Sequence, residues 1–144
     1  MIYWDTSCVI KLYTLESDSL EWQQRALEAE GDLVASALMR TEVCFALEQK
    51  ELRGEILPGG ASALLEIIDH DIDAGRFCLF PVGTDVLQEA CAIATTCFRN
   101  DPPLLLRTLD GIHLATARLM KCKQVATTDK RMRDGAGLLG LGLL

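Results

Sequence analysis

Short apolar runs alternate with longer amphipathic stretches from one end of this chain to the other. No other feature limits the fold as much. Parallel strands buried on both faces read as continuous apolar runs, and each return to the same sheet needs a connection long enough to be a helix. Ile2-Tyr3-Trp4, Leu33-Val34-Ala35, Cys78 to Val82 and Gln124 to Thr127 are the strand candidates, with Leu141 to Leu144 as a fifth. Between them, Asp18 with Glu21 predicts a capping box opening a helix to about Ala29, with Gly31 as its stop. Leu38 to Arg53 carries Val43, Ala46 and Leu47 at helical spacing ahead of Gly54. Ala61 to Gly75 follows Pro58-Gly59-Gly60, Thr84 is placed to cap a helix reaching Asn100, and Leu109 to Lys123 is rich in Ala and Leu. The expected class is α/β, a central parallel sheet flanked by helices in three layers.

At 144 residues, with no repeat, linker or break in composition, the chain is expected to be one domain over 1–144. No apolar run approaches the ~18 residues a membrane helix needs. Met1-Ile2-Tyr3-Trp4-Asp5 lacks the basic and apolar regions of a signal peptide, so a cytoplasmic protein with no membrane partner is expected. Asp+Glu 21 against Lys+Arg 14 leaves seven excess negative charges. That argues against a plain duplex-binding module held by charge, but not against a nuclease whose acids hold a cation. The six cysteines include no C-x-x-C pair, which removes a zinc site; buried, reduced thiols are expected.

Ligands of such sheets gather outside the carboxyl ends of the strands. Asp5 ends the first strand candidate, Asp129 follows the fourth, Glu42 lies one turn into the helix after the second, and Asp110 opens the last long helix. Taken singly, Asp5 and Asp129 read as helix caps, Asp110 as a charge on the helix dipole and Glu42 as a solvated residue. As a set at one sheet edge they read as a site. Converging carboxylates repel unless a divalent cation or a raised pKa relieves them, and oxygen-only ligands suit Mg²⁺ or Mn²⁺.

Four segments together resemble the PIN-domain ribonucleases, in particular the VapC-type toxins. They are Asp5-Thr6-Ser7 after the first strand, Thr41-Glu42-Val43 following Ser36, Leu109-Asp110-Gly111-Ile112-His113-Leu114-Ala115-Thr116-Ala117, and Thr127-Thr128-Asp129-Lys130-Arg131. Their order and spacing span essentially the whole chain, although residues 54 to 100 add only helical pattern. Gly111 stands where the family usually has Ala, and the C-terminal stretch is unusually rich in glycine. The resemblance implies a PIN-like three-layer fold and an Mg²⁺- or Mn²⁺-dependent endoribonuclease restrained by a cognate antitoxin, as a homodimer. It implies catalytic positions at Asp5, Glu42, Asp110 and Asp129, with Asp5, Asp110 and Asp129 as metal ligands. Glu42 has three roles open: direct ligand, holder of a metal-bound water, or acceptor of its proton.

Thr6 and Thr128 flank the acids and are candidates to orient them, with ordinary capping as the alternative. Ser7 reads as an N-cap. His113 lies one turn from Asp110, within reach of the site edge, although a buried, hydrogen-bonded histidine explains it as well. Lys130, Arg131 and Arg133 read as a solvated helix face or a grip on RNA. Trp4 and Trp22 read as core or interface aromatics, and Leu12, Tyr13 and Leu20 as core or a docking surface. Gly135 to Gly140 spells G-x-G-x-x-G without the preceding strand and following helix of a dinucleotide site, so a turn into a last strand is expected. Two other classes compete: an Mg²⁺-dependent phosphohydrolase with an Asp nucleophile, and a non-catalytic PIN-like binding module. Against the first, Ser7 stands where such enzymes carry a second acid.

Overall fold

The computed structural model describes residues 1–29 and 32–144, so the expected stop at Gly31 lies outside the described residues. The chain runs β1 (Ile2–Trp4), α1 (Thr6–Val9), a 3₁₀ turn (Ile10–Leu12), α2 (Ser19–Glu28), β2 (Leu33–Ser36), α3 (Leu38–Leu52) and α4 (Gly60–Asp73). It continues through β3 (Phe77–Phe80), α5 (Thr84–Phe98), α6 (Thr108–Leu119), β4 (Gln124–Ala126), α7 (Lys130–Leu138) and β5 (Gly142–Leu143). The five strands form one sheet of order β3-β2-β1-β4-β5, parallel at every pairing. Tyr3 pairs with Val34 on one side and Val125 on the other, so β1 is the centre of the sheet.

The pleat divides the core into two. Trp4, Leu33, Ala35 and Ala126 face Cys8, Trp22, Met39, Val43, Leu47 and Ile68 from the first four helices. Tyr3, Val34 and Val125 face Val86, Ile93, Leu114 and Met132 from the last three. Successive strand residues point to opposite faces, so a sheet carrying apolar side chains at every position needs a helical layer on each side. The result is the expected three-layer PIN-like α/β fold. Trp4 and Trp22 meet edge to face inside the first core, with ring centroids 6.2 Å apart. Among the described residues no helix is long and apolar enough to cross a membrane.

The differences from expectation are local. β3 ends at Phe80 rather than Val82, because Pro81 has no N–H for the ladder. The capping box at Asp18 does not form; its carboxylate instead takes Lys11 Nζ at 2.6 Å and Trp22 Nε1 at 3.1 Å. Gly83, not Thr84, is the cap of α5. α6 stops at Leu119 rather than Lys123, and Lys121 turns the chain with φ 55°. Gly135 and Gly137 lie within α7, and the turn into β5 falls on Gly140 at φ +73°. A Cβ on Gly135 would lie 2.8 Å from Leu114 Cδ1, so the glycine lets α7 approach α6. Of the thiols, Cys8, Cys97 and Cys122 are buried as expected, but Cys78 on the edge strand and Cys91 on the outer face of α5 are exposed. Burial pushes the Cys8 thiol up to about 12.

Candidate active site

Two strand ends and two helices deliver the acids. β1 stops at Trp4 because Asp5 turns into α1, its carbonyl accepting from Cys8 N and Val9 N. β4 stops at Ala126, and Asp129 caps α7 with Oδ1 accepting from Arg131 N at 2.8 Å and Met132 N at 3.2 Å. Glu42 projects from the second turn of α3, behind β2. Asp110 departs from expectation in how it arrives. Its helix follows α5 and not a strand, and the packing of α6 across the sheet carries its first turn to the same edge. All four acids line one cleft of about 450 Å³, together with Thr6, Ser7, Arg107, Thr108, Leu109 and His113.

Each carboxylate is held differently. Asp5 is buried, and its Oδ2 accepts from Ser7 Oγ at 2.6 Å and Thr127 Oγ1 at 2.9 Å. Oδ1 accepts neither hydroxyl and lies 4.0 Å from His113 Nε2. Ser7, expected as an N-cap, sits inside α1 and clamps Asp5 instead, while its oxygen also accepts from Thr128 N at 3.2 Å. Glu42 Oε2 accepts from Thr6 Oγ1 at 2.6 Å. His113 Nε2 stands 2.9 Å from the same oxygen, off the direction of a straight hydrogen bond, so that contact acts mainly through charge. Burial alone would raise the Glu42 pKa, but His113, Thr6 and Arg107 outweigh it and hold the carboxyl below its usual range.

Asp110 is nearly enclosed and lies at the third position of α6. Its Oδ2 accepts from the backbone N–H of Arg107 at 3.1 Å and from Arg107 Nε at 3.0 Å, while Oδ1 accepts from Arg107 Nη2 at 3.0 Å. This is half of a capping box, because a guanidinium has no acceptor with which to reciprocate. Arg107 Nη2 also reaches Asp129 Oδ2 at 2.7 Å. One guanidinium therefore spans the two acids.

His113 satisfies both of the alternatives open to it: it is buried, and it forms a wall of the cleft. Tyr3 Oη accepts from Ser36 N at 3.2 Å, leaving its proton for His113 Nδ1 at 2.6 Å. In the neutral ring this places the imidazole proton on Nε2, toward Glu42. Burial disfavours the charged ring, but Glu42, Asp5 and Asp110 outweigh it and raise the His113 pKa. Burial, with Asp5 adding to it, raises the Tyr3 phenol well above its ordinary value.

Sequence reasoning passed over Tyr3, Arg107 and Thr127. Arg107 had a local signal, an opposite charge three residues before Asp110 at a helix start. Tyr3 had none, since it pairs with His113 across 110 positions. Thr127 holds the place expected of Thr128: its hydroxyl donates to Asp5 and accepts from Asp129 N at 3.1 Å, whereas Thr128 is exposed. Thr127→Val keeps the shape and removes both bonds. It should cost about 1–2 kcal/mol of stability and slow cleavage roughly tenfold, while Thr128→Val leaves melting and rate near the parent. Equal behaviour of the two variants in melting and cleavage assays would contradict this division.

Lys130 pairs with Asp134 at 2.8 Å, and Arg131 and Arg133 point to solvent, as a solvated helix face does. Among the described residues no three acidic or imidazole groups already close around a common point at ligand distance. The donor chemistry nevertheless fits a hard divalent cation, since the lining acids offer only oxygens and a positive group is already seated between two of them.

The PIN domain family model matches residues 2–138. A curated relative, "Ribonuclease VapC46" of Mycobacterium tuberculosis, is 34% identical over 145 residues, covering 99% of this chain and 95% of that protein. In fold the chain is similar to a toxin-antitoxin complex from Klebsiella pneumoniae, with TM-score 0.70, 17% identity and coverage of 100% of this chain and 96% of that one. It is equally similar to Mycobacterium tuberculosis VapC20, described as a Sarcin-Ricin loop cleaving toxin, with TM-score 0.70, 15% identity and 99% coverage of each.

Proposed function

Since this chain belongs to the PIN-domain family, among its VapC-type ribonuclease toxins, we propose that it hydrolyses RNA phosphodiester bonds with Mg²⁺ or Mn²⁺ held at Asp5, Asp110 and Asp129. One observation carries this reading: four acids from distant parts of the chain line a single cleft at the carboxyl edge of the sheet, two of them bridged by a cation of the protein's own. A divalent ion held by these residues would supply positive charge for the scissile phosphate and would make the attacking water more acidic. The chain's own groups do the positioning. Ser7 and Thr127 hold Asp5 Oδ2, leaving Oδ1 turned toward the cleft. The cap at Asp129 Oδ1 leaves Oδ2 as the atom available for binding. Glu42, oriented by Thr6 and His113 and held ionised at neutral pH, is the acceptor for the proton of the attacking water.

The domain is proposed to act as one nuclease unit over 1–144 in the cytoplasm, where reduced thiols persist, and to pair as a homodimer. A small antitoxin partner is proposed to restrain it, by analogy with the toxin-antitoxin complex of similar fold. Leu20, Leu15 and Leu27, strongly exposed on and beside α2, are the apolar surface such a partner would cover; Leu12 belongs to the core and Tyr13 is half-buried against it. A carboxylate cleft also suits a bidentate arginine from the partner.

Purified protein should cut RNA when Mg²⁺ or Mn²⁺ is added and stop when EDTA is in excess. Undiminished cleavage in chelator would sink the metal mechanism. Covalent phosphate on Asp5 would favour the phosphohydrolase class, and absence of any divalent-ion binding would favour a binding module.

A further inference from the structure

The cleft holds a positive charge that comes from the chain itself. Arg107 makes three hydrogen bonds to Asp110, two of them through its side chain, and a fourth to Asp129. The two partners differ sharply in exposure: the Asp110 side chain is 5% exposed, while that of Arg107 is 55% exposed. A carboxylate so enclosed is costly to keep ionised without a counter-charge. Arg107 supplies that charge from the solvent side, as a lid over the acid.

The same oxygens are the ones a divalent cation needs. Asp110 Oδ1 and Oδ2 are both engaged by the guanidinium, and Asp129 Oδ2 is the oxygen its capping role leaves over. A guanidinium and a metal ion cannot occupy the space between these atoms together. Resting on the metal-dependent reading above, we propose that Arg107 is an internal counter-ion that competes with the divalent cation for Asp110 and Asp129 and must swing out for the ion to enter.

The surroundings permit that swing. Arg107 and Thr108 form the shared rim of two cavities, the acidic cleft and a neighbouring apolar groove of about 280 Å³. Leu87, Ala90, Phe98, Leu106 and Ile112 line the groove, giving the aliphatic stem of the arginine a surface to lie on while its charged head stays in water. The backbone need not follow. Arg107 N remains bonded to Asp110 Oδ2 as the start of α6, so only side-chain torsions change. Arginine suits this role because its planar fork spans two carboxylates, which a lysine ammonium does as a point charge with poorer geometry.

The test titrates Mn²⁺ into RNA-free protein and reads the free ion by electron paramagnetic resonance, for the parent, Arg107→Gln and Arg107→Lys. Arg107 itself is half exposed, so water screens each of its two ion pairs, and their joint removal should tighten Mn²⁺ binding roughly tenfold in Arg107→Gln, with Arg107→Lys in between. Equal or weaker binding by Arg107→Gln would overturn the proposal. A second measurement needs no variant and decides the matter should Arg107→Gln fail to fold. The Nε–H resonance of Arg107 in the ¹⁵N-labelled parent should shift during a Mg²⁺ titration, with the same midpoint as binding followed calorimetrically. Binding that leaves this resonance unmoved would overturn the internal counter-ion alone. No binding of either ion to parent or variant would overturn the metal-dependent reading with it.

Discussion

Asp5→Asn is expected to lower RNA cleavage by roughly 10²-fold or more, the scale seen when a charge aimed at the reacting centre is removed. The substitution keeps the volume of the side chain, and its carbonyl oxygen can still accept from Ser7 and Thr127, which donate to Oδ2 in the parent. The fold should therefore survive, and melting of the metal-free protein should change little. What disappears is the negative charge presented to the cleft. Asp110→Asn should lose activity to a similar degree, but with a different signature. Its metal-free stability should fall by about 1 kcal/mol, because the half-exposed Arg107 side chain then faces an amide in place of the enclosed carboxylate. Cleavage by Asp5→Asn or Asp110→Asn at the parental rate, measured at saturating Mg²⁺, would remove that residue from the site. Glu42→Gln should spare metal affinity while cutting the rate, if its work is done on the attacking water.

Tyr3→Phe is the substitution expected to cost the fold most for a single atom. The phenol is fully buried, and its oxygen serves both the backbone N–H of Ser36 and Nδ1 of His113. Phenylalanine fills the space and leaves those two groups without this partner, at about 1–3 kcal/mol for each buried group. For a chain of this size the melting temperature should drop by roughly 6–20 °C. Cleavage should also weaken, because the proton on His113 Nε2 is then no longer fixed toward Glu42. Melting within a degree of the parent would show that the Tyr3–His113 contact contributes nothing to the fold. Normal melting with slowed cleavage would confine its role to the site.

The alternation of apolar runs with amphipathic stretches was enough to read the layers, the parallel sheet and the five longest helices, but not α1 or α7. These depend on periodicity and local turn chemistry, which any window of the chain carries. Some local readings slipped where packing gave a group a different partner or neighbour from the one its own stretch suggested. Asp18 reads as a capping residue until Lys11 and Trp22 take its carboxylate. Gly135 reads as part of a turn until α7 packs so closely on Leu114 and Leu106 that a Cβ inside the helix would push a leucine methyl aside. Cys78 shares the expectation of buried thiols, yet on the edge strand β3 its side chain is exposed.

The candidate acids were legible one by one, because an acid after a strand or at a helix start stands out in the sequence. Their long-range partners were not. Arg107 and Asp129 are 22 positions apart, Thr127 and Asp5 are 122, and Tyr3 and His113 are 110. Which elements form, and which carboxylates they carry to the sheet edge, could be read from local order, since hydrophobic period and capping chemistry act within a few residues. That Thr127 rather than Thr128 holds Asp5, that His113 faces Glu42, and that Arg107 sits between Asp110 and Asp129 was set by long-range packing. Those choices depend on which side chains meet across the sheet, and strand order and helix packing set that at distances no local pattern records.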